Sequence, residues 1–366
     1  MINILPRERI ESALRHIEPD RTPIFEYVLL SPIADELLGR QSIDYAGDPD
    51  ASRWFSFTSE FGWEKAVRQY AIDRVELAFR LEHDMMYVVP CPISTATLPD
   101  SSRDSSLKQE EDDPVQRVIQ RNTFYERSNN LRSDESFLVY LYIKEELEKR
   151  DMDLPILAPA CEHGVWTDTD LMQTMLLEPN VAHKHFSLAT DRALKLIDQY
   201  IKYGIDQISV GGDIAGNRLI ISPESYREFI VPEIRILSDY LHDNNKWAVN
   251  ASDGNLWEIM DDFLIGCGVD GYLEIDMKAG MDLKRLKMAF GDQITFYGNM
   301  DCGNILSYST PEEISQLTIQ CIKDGYKGGG HIFCASNAIT GSIPIRNYLA
   351  MVNAYRNYFG LSELKL

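Results

Sequence analysis

Short apolar runs alternate along this chain with longer segments whose apolar positions recur every three or four residues. The short runs predict strands at Ile24–Val28, Asp84–Pro90, Pro155–Pro159, Gln207–Val210, Lys246–Val249, Gly271–Leu273, Ile294–Tyr297 and His331–Phe333. The longer segments predict helices, among them Pro6–His16, Pro32–Leu38, Phe55–Leu81, Glu135–Arg150, Val181–Tyr203, Pro223–Asp243, Leu256–Ile265, Asp282–Ala289, Pro311–Tyr326 and Pro344–Tyr358. Strands that are apolar throughout, separated by amphipathic segments, indicate parallel strands buried on both faces under crossover helices. Eight such units predict an α/β fold, a (β/α)8 TIM barrel made as one domain over residues 1–366. The alternative is an open doubly wound sheet. No strand is followed by G-x-G-x-x-G, however, and Gly328-Gly329-Gly330 precedes its strand, which argues against a dinucleotide fold.

The rhythm fails between Ser94 and Asp134, after the second predicted strand. This stretch carries Ser101-Ser102-Arg103-Asp104-Ser105-Ser106 and Glu110-Glu111-Asp112-Asp113. It reads as an insertion, either a solvated loop or a lid over a site. Val115–Arg121 predicts a strand within it.

Composition narrows the class without naming an activity. The 366 residues are 44% hydrophobic and 25% charged, as in ordinary globular proteins. The net charge of −21 argues against nucleic acid or an anionic membrane as a partner, because phosphate contacts need clustered Lys and Arg. No apolar stretch is long enough to span a bilayer. Met1–Arg9 lacks an apolar core, so no signal peptide is expected. Six scattered cysteines without a C-x-x-C pair suit free thiols in a reducing cytoplasm.

In a barrel, the residues just past each strand share one mouth. Those positions are polar here: Glu26 and Tyr27, Glu162 and His163, Asp213 and Asn217, Ser252, Asp253 and Asn255, Glu274 and Asp276, Asn299 and Asp301, then Cys334, Ser336 and Asn337. Each has a plainer explanation. Asp253-Gly254-Asn255 and Asp301 suit a turn or a helix cap. His163 suits an ordinary hydrogen-bonded histidine, and Cys334 a small buried hydrophobe. As a group they suggest an acidic pocket, since packing alone would not send so many carboxyl and amide groups to one face. His331 begins its strand and falls at the opposite end.

The same positions carry a family resemblance. Pro6-Arg7-Glu8-Arg9-Ile10 through Glu18-Pro19-Asp20-Arg21-Thr22-Pro23, Ser222-Pro223-Glu224, Ser252-Asp253-Gly254-Asn255 and Gly298-Asn299-Met300-Asp301 resemble motifs of the uroporphyrinogen decarboxylase superfamily along almost the whole length. The resemblance implies the (β/α)8 fold and two chemistries. True decarboxylases carry arginines after the first strand for the substrate's carboxylates. Phe25-Glu26-Tyr27-Val28-Leu29-Leu30 has none, and Asn337 stands where those enzymes have a histidine. The cobalamin-dependent methyltransferases of the superfamily hold zinc through a His and a Cys of the fifth-strand turn and a Cys of the last. Ala251, Asp253 and Asn337 occupy those places, leaving Glu162, His163 and Cys334 as substitute zinc candidates.

The expected activity is therefore methyl transfer from a small methoxylated or N-methylated compound to a corrinoid on a partner protein. Asp213, Asp253 and Glu274 are the candidate acids or charge-stabilising groups. Glu26, Tyr27, Asn217, Ser252, Asn255, Asn299 and Asn337 are the candidate substrate-binding residues. The alternatives are a decarboxylase acting on a porphyrin-type or smaller acid, and a non-catalytic binding barrel. The resemblance also implies a homodimer.

Overall fold

The computed structural model describes residues 4–46, 52–93, 113–127 and 132–365. Seven strands form one parallel sheet in sequential order: β1 Met86–Tyr87, β2 Ile156–Pro159, β3 Gln207–Gly211, β4 Trp247–Ala251, β5 Gly271–Leu273, β6 Thr295–Tyr297 and β7 His331–Ile332. The strand run expected at Ile24–Val28 contributes backbone bonds to both sheet edges. The Asp84 N–H donates to the Ile24 carbonyl at 2.8 Å, and the Phe25 N–H donates to the Phe333 carbonyl at 3.2 Å. Its two neighbours in space are thus the segments leading into β1 and out of β7, and the sheet curls into a barrel-like arrangement.

Alternation along the strands produces two apolar layers. Phe25, Met85, Tyr87, Leu157, Val249, Leu273, Tyr297, Ile332 and Cys334 pack together inside the curl. Ile24, Met86, Ile156, Ala158, Ile208, Val210, Ala248, Tyr272 and Phe296 face the helices. Ile10, Ala13 and Leu14 of the helix Pro6–Leu14 join the inner layer. The Gly330 N–H donates to the Ala13 carbonyl at 2.8 Å, so this helix stops the end where the strands begin.

The opening sequence motif acts at that stopped end. Asp84 is fully buried and accepts from the guanidinium groups of Arg9 and Arg21 and, at 2.9 Å, from the Ile24 N–H. Arg9 also pairs with Asp20 at 2.6 Å, while Arg7 pairs with Asp153 at 2.7 Å. These motif residues are therefore a structural clamp, remote from the strand ends where ligands bind.

Helix boundaries follow local chemistry. Thr310 and Glu313 form a capping box around Pro311, so the helix Pro311–Gly325 starts where expected. Gly62, at φ +91°, divides the predicted Phe55–Leu81 helix into Ser52–Phe61 and Trp63–Leu81. Leu256–Ile265 is only partly helical. It opens with turns and widens into a π-type segment over Asp262–Gly266, where the Asn250 amide donates to the Phe263 carbonyl at 3.0 Å. Helix Pro114–Arg127 replaces the strand expected at Val115–Arg121. Its buried Val115, Val118 and Asn122 recur at helical spacing, and Asn122 donates to the Val181 carbonyl at 3.0 Å. The rest of the expected insertion, at 94–112 and 128–131, lies outside the described residues.

Candidate active site

A cavity of about 250 Å³ opens at the carboxyl ends of the strands. It is lined by Tyr27, Tyr87, Glu162, Ser209, Asp213 and Glu274, together with glycines and Trp166 from the adjoining turns. Strand geometry explains the convergence. Tyr87 and Ser209 lie at or near the ends of β1 and β3, and Asp213 follows the pair Gly211-Gly212, the first of which closes β3. Glu274 follows β5 directly with φ +69°, a left-handed conformation that is uncommon for a side-chain-bearing residue.

Asp253 is tied into this wall. Its N–H donates to Asp213 Oδ1 at 3.0 Å, and its own Oδ2 accepts from Asn337 Nδ2 at 3.0 Å. Asn337 is held in turn by the Ala338 N–H, which donates to its Oδ1 at 2.7 Å. Gly254 permits the turn. Its φ is +86°, and a Cβ there would fall 2.3 Å from the Ala215 carbonyl oxygen.

Two of the clustered carboxyl groups are pushed toward the protonated form. Burial, and then the charges of Asp253, Asp213 and Glu162, push Glu274 up to about 8. Burial, and then Asp213 and Asp276, push Asp253 up to about 7, against a lowering hydrogen bond from Asn337. The arrangement can therefore give a proton to a departing or newly formed basic centre. Tyr27 and Tyr87 add an aromatic side, with ring centroids 4.3 Å apart and hydroxyls 3.4 Å apart.

Several expected ligand-binding residues do other work. Glu26 is buried behind the mouth, where Oε2 accepts from the Ala335 N–H at 3.3 Å and burial pushes the carboxyl up to about 8. Ser252 is buried, with its hydroxyl oxygen accepting from the Ile214 N–H at 3.2 Å. Asn255 is a latch between turns: its side chain donates to the Ala279 carbonyl at 3.0 Å and accepts from the Trp257 N–H at 3.2 Å. Asn299 is buried and donates to the Met281 carbonyl at 3.2 Å. Asn217 is exposed on the turn after β3 and is not part of the cavity wall. Asp301 caps its own turn, accepting from the Asn304 N–H at 2.8 Å.

The substitute zinc ligands are not brought together. Cys334 is fully buried in the inner layer, and burial raises its thiol well above the usual range. His163 is buried, takes a weak bond from the Val165 N–H at 3.4 Å, and is pushed down to about 4 by burial. Glu162 alone of the three lines the cavity. Among the described residues no three His, Cys, Asp or Glu side chains gather as metal donors. The donor set does not fit zinc.

Tyr87, Ser209 and the aromatic Trp166 were missed as site residues in the sequence. The inward alternation Met85–Tyr87 was the available signal for Tyr87; Trp166 had none, because its turn has no periodicity.

The family profile for uroporphyrinogen decarboxylase (URO-D) matches residues 164–358, more than half of the chain and every strand end from β3 onward. The chain belongs to the URO-D family. Uroporphyrinogen decarboxylase from Coxiella burnetii is 24% identical over 186 residues, covering 50% of this chain and 48% of the relative. The Nitrosococcus oceani enzyme is 25% identical over 238 residues, covering 60% and 64%. The chain thus spans about half to two-thirds of the length of these curated relatives. A methyltransferase from Methanosarcina mazei has the same fold, with a TM-score of 0.68 and 14% identity over 98% of this chain and 100% of that one. Among the described residues, no helix is long and apolar enough to cross a membrane.

Proposed function

We propose that this URO-D family member takes a methyl group from a small methoxylated or N-methylated compound and delivers it to a corrinoid carried by a separate protein. The observation that carries this reading is Glu274, a cavity-wall carboxyl that keeps its proton up to about pH 8. When the methyl–oxygen bond breaks, the electron pair stays on oxygen, and an alkoxide or phenoxide is a poor leaving group unless protonated. Glu274 can supply that proton, and Asp253 beside it raises the proton's availability at neutral pH. The corrinoid supplies the electron pair for the new bond to the methyl carbon. Tyr27 and Tyr87 offer an aromatic face to orient the substrate, and Asp213 offers a carboxylate to a cationic nitrogen. At about 250 Å³ the cavity lies below the roughly 300–1,000 Å³ of ordinary ligand sites, which favours a small compound. The fold shared with a methyltransferase is compatible with this chemistry.

The family match favours a second reading, decarboxylation of a small acid. There the bond to CO2 breaks with its electron pair left on carbon, and Glu274 would protonate that carbon. A polyanionic tetrapyrrole is a poor fit, because the described wall presents Glu162, Asp213 and Glu274 and no arginine or lysine.

Incubation with methoxylated aromatics and methylamines in the presence of reduced cobalamin tests the first reading. Methylcobalamin should form and should be lost in Glu274→Gln. Release of CO2 from uroporphyrinogen or a smaller acid, with no methyl product, would replace it with the second.

A further inference from the structure

A second cavity, of about 200 Å³, adjoins the acidic mouth, and the two share Cys161 and Glu162 as a common wall. Its character is opposite. Arg132, Arg192 and Lys195 line it, with Phe137 and Leu196 as apolar surface. Arg192 and Lys195 stand three residues apart on the helix Pro179–Lys202 and so project from one face. In a chain of net charge −21, three cations around one cavity need an explanation.

Arg192 is the centre of it. Its Nη1 is shut off from solvent and has no hydrogen-bond partner. Its guanidinium carbon lies 4.0 Å from the centre of the Tyr125 ring, a cation–π contact that leaves the Nη1 donor unpaired. Burial lowers its pKa, as expected for a cation short of compensation. Gln199 Oε1, on the same wall, is likewise buried without a partner. The arginines elsewhere in the fold are used differently: Arg7, Arg9 and Arg21 close on Asp153, Asp20 and Asp84. An Arg192 Nη1 shut off from solvent without a partner is costly unless an acceptor completes it, and the planar guanidinium fork suits a carboxylate best.

We infer that this cavity is the anion subsite of the same active site, holding the substrate's carboxylate on Arg192 while the methyl-bearing end reaches past Glu162 to Glu274. The inference rests on the methyl-transfer reading of the mouth and narrows its substrate class to small methoxylated or N-methylated carboxylic acids. Glu162, on the shared wall, separates the two ends by charge. It repels the carboxylate toward Arg192 and Lys195 and favours a cationic or neutral methylated group on its other side. Lys195 and Arg132 add field without a fixed contact, being exposed.

Calorimetric titration of the intact chain tests this without turnover. The probes are 4-methoxybenzoate and N,N-dimethylglycine, each paired with its neutral amide. The carboxylates should bind at least tenfold more tightly than the amides. Arg192→Met should erase that preference, while Lys195→Met, at an exposed position, should reduce it two- to fivefold. Thermal midpoints of both variants check that the fold is kept. Equal binding of acid and amide, a preference that survives Arg192→Met, or no saturable binding of any carboxylate would overturn the subsite. A carboxylate preference without methyl transfer would instead leave the subsite standing and remove the methyl-transfer reading. Methyl transfer from neutral compounds alone would do the reverse.

Discussion

The Asp253 backbone N–H donates to Asp213 Oδ1 at 3.0 Å, joining the turn after β4 to the turn after β3. The bond fixes one carboxylate near another, and that proximity, added to burial, holds a proton on Asp253. Asn337 completes the arrangement from the turn after β7. Three turns distant in sequence therefore act as one electrostatic unit, with Glu274 on the adjoining wall as its outlet.

Replacing Glu274 by Gln keeps the shape and removes the transferable proton. Turnover should fall about 10²–10⁴-fold, the usual range for loss of a general acid, with the thermal midpoint maintained. The pH profile separates the roles of the two carboxyls. In the unaltered chain, kcat should decline above about pH 8 as Glu274 loses its proton. Asp253→Asn removes a like charge, so Glu274 should titrate lower and the alkaline limb should move toward acid pH. A limb that stays in place would mean that Asp253 does not sense Glu274.

Stability should depend on pH with a definite sign. The folded values of Glu274 and Asp253, about 8 and about 7, lie above their ordinary values of 4.5 and 3.8. Between those limits the native state keeps protons that the unfolded chain releases, so stability is fully present below about pH 4 for these groups and is lost as pH rises toward 8. The thermal midpoint should be higher at pH 5.5 than at pH 8.5. Glu274→Gln combined with Asp253→Asn should flatten that difference in part, the remainder reflecting Glu26, which is also pushed up to about 8.

Asp84→Asn should be costly far from the mouth. It leaves Arg9 and Arg21 facing a neutral amide in a buried setting. Breaking a buried ion pair from one side costs about 3–5 kcal/mol. Urea unfolding should show a lower midpoint with an unchanged slope, and residual activity per folded molecule should be normal.

Gly254→Ala should impair the site more than the fold. The added Cβ meets the Ala215 carbonyl oxygen, and the left-handed φ disfavours any side chain. A stability loss of roughly 1–3 kcal/mol is expected. Asp253 and Asn255 flank the glycine, so kcat/KM measured at a temperature where the variant is folded should fall as well. Full activity in a destabilised variant would show that the turn tolerates displacement.

Much of the architecture was legible in the chain. A strand buried on both faces reads as a near-continuous apolar run, and a helix against it must be amphipathic, so Pro155–Pro159 and Val181–Tyr203 announced themselves. Asp213, Asp253 and Glu274 were legible as neighbouring strand-end carboxyls, because residues directly after the strands of a barrel share one mouth. Val115–Arg121, with only three apolar residues, fits either period; buried Val115, Val118 and Asn122 recur at helical spacing, and Asn122 bonds to Val181 of the helix Pro179–Lys202. Glu26, Ser252, Asn255 and Asn299 were legible as strand-end polar residues but not as structural ones. Whether an amide meets a ligand or a neighbouring carbonyl depends on the turn opposite it.

The sequence by itself determined the βα repeat, the polar strand ends and the absence of the family's His, Cys and Arg positions, because these depend on residue type and local spacing. Tertiary structure decided which polar groups share a cavity and which carboxyls keep their protons. It also decided that Arg192, on a helix, faces a cavity beside the mouth. Burial, the field of neighbouring charges and the path of each turn are properties of many residues acting together, and no local pattern encodes them.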